Sequence, residues 1–439
     1  MTTSLIICTY NRPMYLAQTL ESIKTADLSL VDDIYIIDDA SSDPITKQLI
    51  ENFVIPGKNI MRTYKTIRAG IKDSLWWSME MIFSRGGKEK IVTNLDSDAI
   101  ISREFFNKLL SLKQRFPDNI VSGFNTTVEN RNPIISEHED YYLKQYCSGI
   151  NMCINYQQYK HYLEPTLNQS GNWDYNTSLN HEKSGKRVVV AKPSLLQHIG
   201  ILSSMNHGVS EKPDVAEDFN ICELPNVTLI GATGSDITGL IRAADLSSKY
   251  IKFGSVKLLA HTGIDSRIVQ IKPLVSKAEY NKFILKELAN YIDTDFCIIC
   301  QPDGYIVNPF AFDKSFYDYD YIGARWHFTH PEYPDCHVGN GGASWRSKKL
   351  MEILRDDHLI LPINDKYIVN YEEDHLICKV YRHYLEDKYK IKFAPAEVAD
   401  KFSVELYGLS YPDNLYKGSF MFHGRCVDFE HADTSYLPK

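Results

Sequence analysis

Two acidic residues at alternate positions, Asp96 and Asp98, are the first candidates for chemistry in the sequence. They follow the apolar run Lys90–Leu95, which has the composition of a buried strand. A strand that ends there leaves both carboxylates in the loop beyond its carboxyl end, the edge at which open α/β sheets bind ligands. Carboxylates suit Mg²⁺ or Mn²⁺. The pair therefore predicts a divalent cation that holds a diphosphate, and a solvated turn is the alternative.

The segments that must position this pair alternate between strands and helices. Ser4–Cys8 has the pattern of a buried strand, Met14–Ile23 has helical spacing, and Ile34–Ile37 is a second strand. Each strand runs into a polar turn. Such alternation predicts an α/β fold with a parallel sheet, in which these turns share one edge.

The order and spacing of the turns resemble the family-two glycosyltransferases of GT-A fold over about the first half of the chain. The matching segments are Thr9–Arg12, Asp38–Asp43 and Asp96–Asp98. The resemblance implies a nucleotide-sugar donor bound by Thr9, Asn11, Arg12, Asp38, Asp39, Arg68 and Asp96. It also implies metal ligands at Asp96, Asp98 and His198. A surface arginine and a structural histidine are the alternatives for Arg68 and His198.

A candidate for proton transfer follows in Gly171–Leu179, where Asp174 opens a predicted helix after an aromatic residue. The resemblance places the general base of inverting GT-A enzymes there. A sugar hydroxyl is a weak nucleophile, so a carboxylate within hydrogen-bond reach must remove its proton during the attack. A helix N-cap is the alternative for Asp174. The polar loop Ser203–Ser210 is predicted to be a lid over the donor.

The second half repeats the alternation. The polar stretch Val209–Leu224 is predicted to be a linker, Asn226–Gly234 a strand with a glycine turn, and Phe296–Gly304 a buried strand with an acidic turn. This half resembles a GT-A-like family of unknown function through four motifs. They are Gln-x-Asp-Gly, Tyr-Asp-Tyr-Ile-Gly-Ala, Gly-Asn-Gly-Gly and a late Phe-His-Gly.

By this second resemblance, the implied site residues are metal ligands Asp303 and His423, ligand-lining Asn340, Gly341 and Gly342, and a base at Glu373 or Asp374. The alternatives are a tight turn at Asp303 and favourable electrostatics at a helix N-terminus for the two acids.

Length and composition restrict the number of domains, the partners and the cellular compartment that we expect. A chain of 439 residues suits two or three domains. A net charge of −8 without a long basic tract argues against nucleic acid as a partner. Nine dispersed cysteines favour a reducing cytosol, and neither a signal peptide nor a membrane-spanning apolar run is recognised. We therefore expect a cytoplasmic enzyme, which a lipid-linked acceptor could bring to the inner face of a membrane.

Together these features predict two tandem GT-A-like domains, residues 1–215 and 216–439, each a mostly parallel sheet flanked by helices. The predicted activity is a bifunctional, metal-dependent transfer of sugars from nucleotide-diphosphate donors to a glycan, inverting in the first domain, with Mn²⁺ or Mg²⁺ as cofactor. The acceptor would be a surface polysaccharide, a lipopolysaccharide or a protein glycan. Oligomeric state stays open.

Three alternatives remain for the function. A single glycosyltransferase could use its second domain only to bind or position the acceptor. A nucleotidyltransferase usually has a Gly-rich basic loop after the first strand, whereas Thr9–Pro13 contains no glycine. A non-catalytic scaffold would not need so many polar loops at one sheet edge.

Overall fold

The computed structural model describes residues 2–126, 132–200, 214–216, 218–326, 336–360, 372–406 and 418–424. They form two compact units, and the chain passes from the first to the second between Ile221 and Cys222. The predicted lid Ser203–Ser210 lies outside the described residues, as does part of the predicted linker. The predicted boundary at residue 215 lies beside undescribed residues and stays a prediction.

The first unit is built on a mixed sheet. Its strands are β1 (Thr3–Thr9), β2 (Val31–Asp38), β3 (Asn59–Tyr64), β4 (Ile91–Asp96), β5 (Ala99–Ile101), β6 (Val121–Ser122), β7 (Ile134–Glu137), β8 (Tyr141–Lys144), β9 (Cys153–Asn155), β10 (Val188–Ala191) and β11 (Leu196–His198). Nine of them form one sheet in the order β3-β2-β1-β4-β9-β6-β10-β8-β7, and β11 pairs with β5.

Helices flank this sheet. They span Pro13–Thr25, Pro44–Asn52, Ile71–Ile82 with a further turn to Gly87, Phe105–Arg115, Tyr156–Gln158 with further turns to Asn168, and Trp173–Lys183. Strand β1 is buried along its whole length, as expected for a parallel strand covered on both faces. The helix Pro13–Thr25 buries Leu16, Leu20 and Ile23, whose spacing places them on one helix face.

The second unit has a smaller mixed sheet. Its strands are β12 (Cys222–Ala232), β13 (Ile251–Ala260), β14 (Ile268–Gln270), β15 (Phe296–Ile299), β16 (Gly304–Ile306), β17 (Tyr321–Ile322), β18 (Ser344–Ser347), β19 (Ser403–Leu406) and β20 (Met421–Gly424). The main sheet has the order β14-β13-β12-β15-β18-β17, and β16-β20-β19 forms a second sheet.

The helices and short helical turns of this unit span Ile237–Ser248, Lys277–Lys286, Leu288–Tyr291, Pro309–Ala311, Lys314–Asp318, Lys348–Asp356, Glu373–His375, Leu376–Val380, Arg382–Tyr389 and Ala396–Phe402. The core on one face of the sheet includes the fully buried Leu350, Leu354 and Leu376. A second core contains Trp345 and Phe316.

The two units share the order of their first strands. Four parallel strands lie side by side in the order β3-β2-β1-β4 in the first unit and β14-β13-β12-β15 in the second. In each unit the strand that follows in the sheet, β9 or β18, is antiparallel to its neighbour. The predicted α/β class is confirmed. The expectation of mostly parallel sheets needs correction for the first unit, because its pairs beyond β4 are largely antiparallel.

One predicted boundary was wrong. The last residues of the predicted linker, Cys222–Leu224, belong to β12, where they pair with Ile251–Phe253. The apolar segment Cys147–Ile154 forms a regular strand only from Cys153, because side chains replace part of the ladder before it. The amide of Asn94 donates to the main-chain oxygen of Gly149, and that of Asn151 donates to the main-chain oxygen of Asn94, both at 2.7 Å.

Two other expectations concern the whole chain. The eight cysteines in the described ranges are all buried and free, as the dispersed spacing led us to expect. None of the helices in the described part of the chain combines the length and the apolar character needed to span a bilayer.

Candidate active sites

The loops after β1 and β2 are tied together by Asn11. Its side-chain oxygen accepts hydrogen bonds from the main-chain N–H groups of Ser42 and Asp43, and its main-chain N–H donates to Ser41 Oγ at 2.9 Å. Asp38 is fully buried and accepts from the main-chain N–H of Ser41. Both side chains therefore shape the loops from within. Direct contact of either with a donor stays a prediction.

Asp39 connects the β2 loop to the segment that contains Arg68. Its two carboxylate oxygens accept hydrogen bonds from the main-chain N–H groups of Ala69, at 3.1 Å, and Gly70, at 2.7 Å. Burial acts to raise the pKa of Asp39, but these hydrogen bonds lower it overall. The guanidinium of Arg68 lies 4.1 Å from the ring centroid of Tyr10, in a cation–π contact.

Asp98 and His198 are brought together by the pairing of two short strands. Strand β11 runs antiparallel to β5, so that His198 lies opposite Ala99. His198 Nε2 is 3.1 Å from Asp98 Oδ2, and its Nδ1 is 3.2 Å from the main-chain oxygen of Asp214. A Cβ atom at Gly200 would lie 2.0 Å from Asp98 Oδ2, so glycine is needed there.

Charge is concentrated around this contact. Burial and the neighbouring charge of Asp98 raise the pKa of Asp96 to about 7. Burial also acts to raise the pKa of Asp98, but His198 and the guanidinium of Arg12 lower it overall. That guanidinium contacts the Asp98 carboxylate directly. A buried carboxylate, that of Asp98, and a partly buried one, that of Asp96, thus share one location, where nearby positive charge is needed to ionise both.

The residues present fit a divalent cation. Within the described ranges, no group of three or more His, Cys, Asp or Glu side chains is placed to hold a metal by itself. Mg²⁺ in phosphate sites is nevertheless commonly bound by one or two carboxylates together with substrate phosphates. The 3.1 Å between His198 Nε2 and Asp98 Oδ2 suits neighbouring ligands on one cation with bonds of about 2.1 Å. His198 Nδ1 faces a main-chain oxygen, an orientation common among metal-binding histidines.

Asp174 lies in the first turn of the helix Trp173–Lys183. Its Oδ2 accepts the main-chain N–H of Gly149 at 3.0 Å, and its Oδ1 accepts that of Tyr175 at 2.9 Å. The charge of Asp174 is among those that raise the pKa of Asp96, so these two carboxylates lie within electrostatic reach of each other. The N-cap alternative does not hold, because the residue in that position is Asn172.

In the second unit, Asp303 and His423 approach each other through the smaller sheet, in which Gly304 pairs with His423. His423 Nε2 is 3.6 Å from Asp303 Oδ1 and 3.2 Å from Gln301 Oε1. Its Nδ1 is 2.9 Å from Glu405 Oε2. Burial acts to lower the pKa of His423, but the Glu405 carboxylate raises it overall.

The glycine loop of this unit lies between His423 and a helix. A Cβ atom at Gly342 would lie 2.2 Å from His423 Nε2, and Asn340 Nδ2 is 3.2 Å from His423 Nδ1. On the other side, the main-chain N–H of Gly341 donates to Asp374 Oδ2 at 2.9 Å. The predicted ligand-lining, metal and base residues of the second half are therefore neighbours in space.

Glu373 and Asp374 are adjacent, but only Glu373 has a direct ion-pair partner in the described residues, and Asp374 has a raised pKa. Glu373 Oε1 forms an ion pair of 2.6 Å with Arg346 Nη2, and Arg346 is fully buried. Burial and the charge of Glu373 raise the pKa of Asp374 to about 8. Glu373 is thus the counter-ion of Arg346, and its role as the base stays a prediction. Asp374 remains the candidate base.

Sequence reasoning missed several residues of these sites. Gly200 and Glu405 have no local motif, since each acts on a partner elsewhere in the chain. Arg346 lies in a Ser-x-Arg-Ser motif directly after the glycine loop, but the motif does not reveal its partner Glu373. Gly149 could have been recognised by comparing the two halves of the chain. It lies before the antiparallel strand β9, just as the glycine loop Gly339–Gly342 lies before the antiparallel strand β18.

The strand order and the acidic turns define an α/β protein whose polar loops gather at the carboxyl ends of its parallel strands. Residues 4–172 match the sequence profile of glycosyl transferase family 2, and residues 263–423 match that of a protein of unknown function, DUF5672. No curated protein matches the chain. The first unit therefore carries a family 2 glycosyltransferase domain of the GT-A class, and the C-terminal half carries a DUF5672 domain. Both resemblances recognised in the sequence are confirmed.

Solved structures show distant similarity, and the chain spans about half the length of each. S. aureus TarS in complex with UDP-GlcNAc is 16% identical with a TM-score of 0.35, over 43% of this chain and 56% of that one. GalNAc-T7 with UDP, GalNAc and Mn²⁺ is 15% identical with a TM-score of 0.38, over 48% and 45%. Mannosyltransferase PcManGT from Pyrobaculum calidifontis with GDP-Man and Mn²⁺ is 16% identical with a TM-score of 0.33, over 43% and 55%.

Proposed function

We propose that the first unit transfers a sugar from a nucleotide-diphosphate donor to a hydroxyl group of a glycan, with Mn²⁺ or Mg²⁺ as cofactor. The contact between Asp98 and His198 is the observation that carries this proposal. These two residues would hold the cation, and Asp96 would add negative charge beside them. The bound cation would act as a Lewis acid that neutralises the leaving diphosphate.

The donor would bind in the loops that Asn11 and Asp39 hold in place. Thr9 supports this assignment, because its Oγ1 is buried and has no hydrogen-bond partner within the described part of the chain. A buried hydroxyl without a partner costs free energy unless a ligand satisfies it. Arg12 and Arg68 would supply positive charge to the same pocket, and the nucleotide would lie against these residues together with Asp38.

We propose inversion in the first unit, with Asp174 as the general base. The main-chain N–H groups of Gly149 and Tyr175 donate to its carboxylate and hold it in place. The carboxylate would take the proton of an acceptor hydroxyl as that oxygen attacks the anomeric carbon. The new bond to the sugar forms as the bond to the diphosphate breaks, so a single displacement inverts the anomeric configuration.

We also propose that the second unit is GT-A-like and adds a further sugar, which would make the chain bifunctional. The support is the repeated arrangement around the base. The main-chain N–H of Gly341 donates to the Asp374 carboxylate at 2.9 Å, and that of Gly149 donates to the Asp174 carboxylate at 3.0 Å. Each aspartate also accepts a hydrogen bond from the main-chain N–H of the residue that follows it. Asp303 and His423 would hold the cation of this site.

One observation favours the alternative in which the second unit only binds the acceptor. Its acidic turn has a single carboxylate, because Gln301 stands two positions before Asp303, and the Asp303 side chain is 53% exposed. An exposed single carboxylate is a weaker anchor for a cation than the pair of carboxylates in the first unit.

The experiment is donor turnover by the full chain, measured as release of nucleoside diphosphate from a panel of UDP- and GDP-sugars with Mn²⁺. We expect turnover of at least one donor, its loss in Asp98→Asn, and its retention in Asp140→Asn, an exposed carboxylate far along the chain from the site. Absence of turnover for every donor, or full turnover in Asp98→Asn with all of them, would contradict the proposal.

In a donor–acceptor reaction with two products, Asp374→Asn should remove one product and Asp174→Asn the other. Transfer that is unchanged by Asp374→Asn would favour the acceptor-binding alternative.

A further inference from the structure

A cavity of about 300 Å³ opens beside the edge strand β3 of the first unit. Its walls are formed by Thr63, Lys65, Asp73, Trp76 and Trp77, none of which is assigned to the donor, the cation or the base. The volume is at the lower end of the range for ligand pockets in proteins. Two of the five tryptophans of the chain thus line one small cavity, which makes it a candidate site for a ligand that contacts aromatic rings.

The two indoles share one side of the helix Ile71–Ile82 with a carboxylate. Asp73 lies in the first turn of that helix, three residues before Trp76 and four before Trp77, and residues at these spacings are neighbours on a helix surface. The buried face of the helix is formed by other residues, Ser74, Leu75, Ser78, Met79 and Ile82. Trp76 is partly buried against the core, and Trp77 is 38% exposed. Filling the core therefore does not explain why both positions hold tryptophan.

The polar groups of the cavity favour a neutral ligand with hydroxyl groups. The ammonium group of Lys65 donates to Ser74 Oγ at 2.7 Å and lies 3.3 Å from Asp39 Oδ1, so its charge is already balanced. Lys65 opposes a cationic ligand, and the exposed carboxylate of Asp73 opposes an anionic one. The Nε1–H of Trp76 is buried and has no hydrogen-bond partner within the described part of the chain. Because a buried donor without a partner costs free energy, a ligand hydroxyl that accepts from it would be favoured.

The cavity is separate from the predicted site of the reaction. The edge strand β3 lies three strands from β4, which ends at Asp96. Neighbouring strands are about 4.8 Å apart, so β3 and β4 are about 14 Å apart. Gly149, which holds Asp174, precedes β9, and β9 lies one strand farther on. A ligand in the cavity is therefore on the side of the sheet that carries the β1 and β2 loops, away from a hydroxyl that would react at Asp174.

We propose that this cavity is a saccharide-binding site, in which a pyranose stacks on Trp77 and its hydroxyl groups bond to Asp73 and Trp76. A pyranose has an apolar face of C–H groups that packs on an aromatic ring, and hydroxyl groups at its edge that need both donors and acceptors. The cavity supplies both kinds of partner beside two indole rings. Such a site retains a glycan chain on the first unit at a point away from its reacting end. Binding here does not depend on the transfer reaction.

The test uses the full chain with ¹⁵N-labelled tryptophan, so that NMR follows the indole N–H signals directly. The probes are the trisaccharides maltotriose, cellotriose, chitotriose and mannotriose. We expect at least one of them to shift the Nε1–H signals of Trp76 and Trp77, which Trp76→Phe and Trp77→Phe identify by removing them. Trp77→Ala should weaken that binding about five- to tenfold, because the stacking face is lost. Asp73→Ala should weaken it about two- to tenfold through the loss of a hydrogen bond.

Asp140→Ala removes an exposed carboxylate of the same unit, so it is the matched control for Asp73→Ala and should leave binding unchanged. Asp98→Asn and Asp174→Asn should bind the trisaccharide as the original chain does, because the cavity is separate from the reaction site. UDP with Mn²⁺ should not displace the trisaccharide. Thermal melting of each variant establishes that it is folded, which is expected for Trp77→Ala because that ring is exposed.

The inference is overturned if none of the four trisaccharides shifts the signals of Trp76 and Trp77, or if Trp77→Ala binds as tightly as the original chain. Displacement by UDP, or loss of binding in Asp98→Asn or Asp174→Asn, would place the saccharide in the reaction site and overturn it as well. Donor turnover tests the proposed function separately. A chain that releases nucleoside diphosphate without binding a trisaccharide here keeps the activity and lacks this site. A chain that binds a trisaccharide here without donor turnover keeps the site and refutes the proposed function.

Discussion

The two units hold an aspartate in the same arrangement and surround it differently. In both, a glycine N–H from the loop before the antiparallel fifth strand donates to one carboxylate oxygen, and the N–H of the next residue donates to the other. The residue before the aspartate is Trp173 in the first unit and Glu373, paired with buried Arg346, in the second. The backbone therefore sets where the carboxylate lies, and its neighbours set how readily it holds a proton.

The cation sides differ in a similar way. The first unit has the buried Asp98 and the partly buried Asp96 together with His198, whose Nδ1 faces a neutral main-chain oxygen. The second has one half-exposed carboxylate with His423, whose Nδ1 faces the charged Glu405. A carboxylate partner makes an imidazole more basic and fixes its orientation. The second unit thus supplies through Glu405 some of the negative charge that Asp96 supplies in the first.

The largest expected effect separates the two cation sites. Asp98→Asn removes a charged ligand from the first site, and we expect donor turnover by that unit to fall by about 10³ or more. Isothermal titration with Mn²⁺ in the presence of UDP provides a readout that does not depend on activity, and Asp140→Asn is the control. Turnover within a few-fold of the original chain would mean that Asp98 does not hold the cation.

The next effect concerns the two bases. Asp174→Asn and Asp374→Asn preserve shape but remove the proton acceptor, and each should lower the rate of its own transfer about 10²- to 10⁴-fold. Single-turnover rates measured with a donor and an acceptor would check this. If Asp174→Asn retained the full transfer rate while Asp98→Asn lost it, the base would have to be another residue.

Gly200→Ala should have a smaller effect, because its Cβ would press on the Asp98 carboxylate without removing it. We expect the affinity for Mn²⁺ to fall about 10- to 100-fold, as is typical when the surroundings of a metal ligand are disturbed. Asp140→Asn, at an exposed carboxylate of the same unit, is again the control. Unaltered Mn²⁺ binding in Gly200→Ala would place the cation away from this oxygen.

The smallest effect is a shift in pH dependence. Asp374 must be ionised to accept a proton, and burial together with the charge of Glu373 raises its pKa to about 8. Transfer by the second unit should therefore increase with pH up to and beyond about 8. Glu373→Gln removes the like charge and leaves Arg346 positive, so the rise should move to lower pH. An unchanged profile in Glu373→Gln would show that Asp374 is not the titrating group.

The sequence predicts the parts of these sites that are local. The acidic turns follow apolar strands directly, so the order of residues along the chain is enough to place Asp38, Asp39 and Asp96 at one sheet edge. The expected strand and helix alternation held for the same reason. Asp98 and His198, which were predicted from separate segments of the chain, also lie in contact, and their role as metal ligands stays a prediction.

What could not be predicted depends on pairing between distant strands. Glu405 reaches His423 because β19 and β20 are parallel and in register. Arg346 lies in β18 and reaches Glu373, which lies in a short helix. Asn11 and Asp39 show a second limit. Their polar side chains satisfy main-chain N–H groups of neighbouring loops, a use that the residue type does not distinguish from ligand binding.

The most direct test of the central claim is anomalous diffraction at the manganese edge from crystals of the full chain grown with Mn²⁺ and UDP or GDP. We predict an anomalous peak within bonding distance of Asp98 Oδ2 and His198 Nε2, with the diphosphate on the same ion. A bound nucleotide with no peak between these two side chains, or with both directed into solvent, would contradict the account.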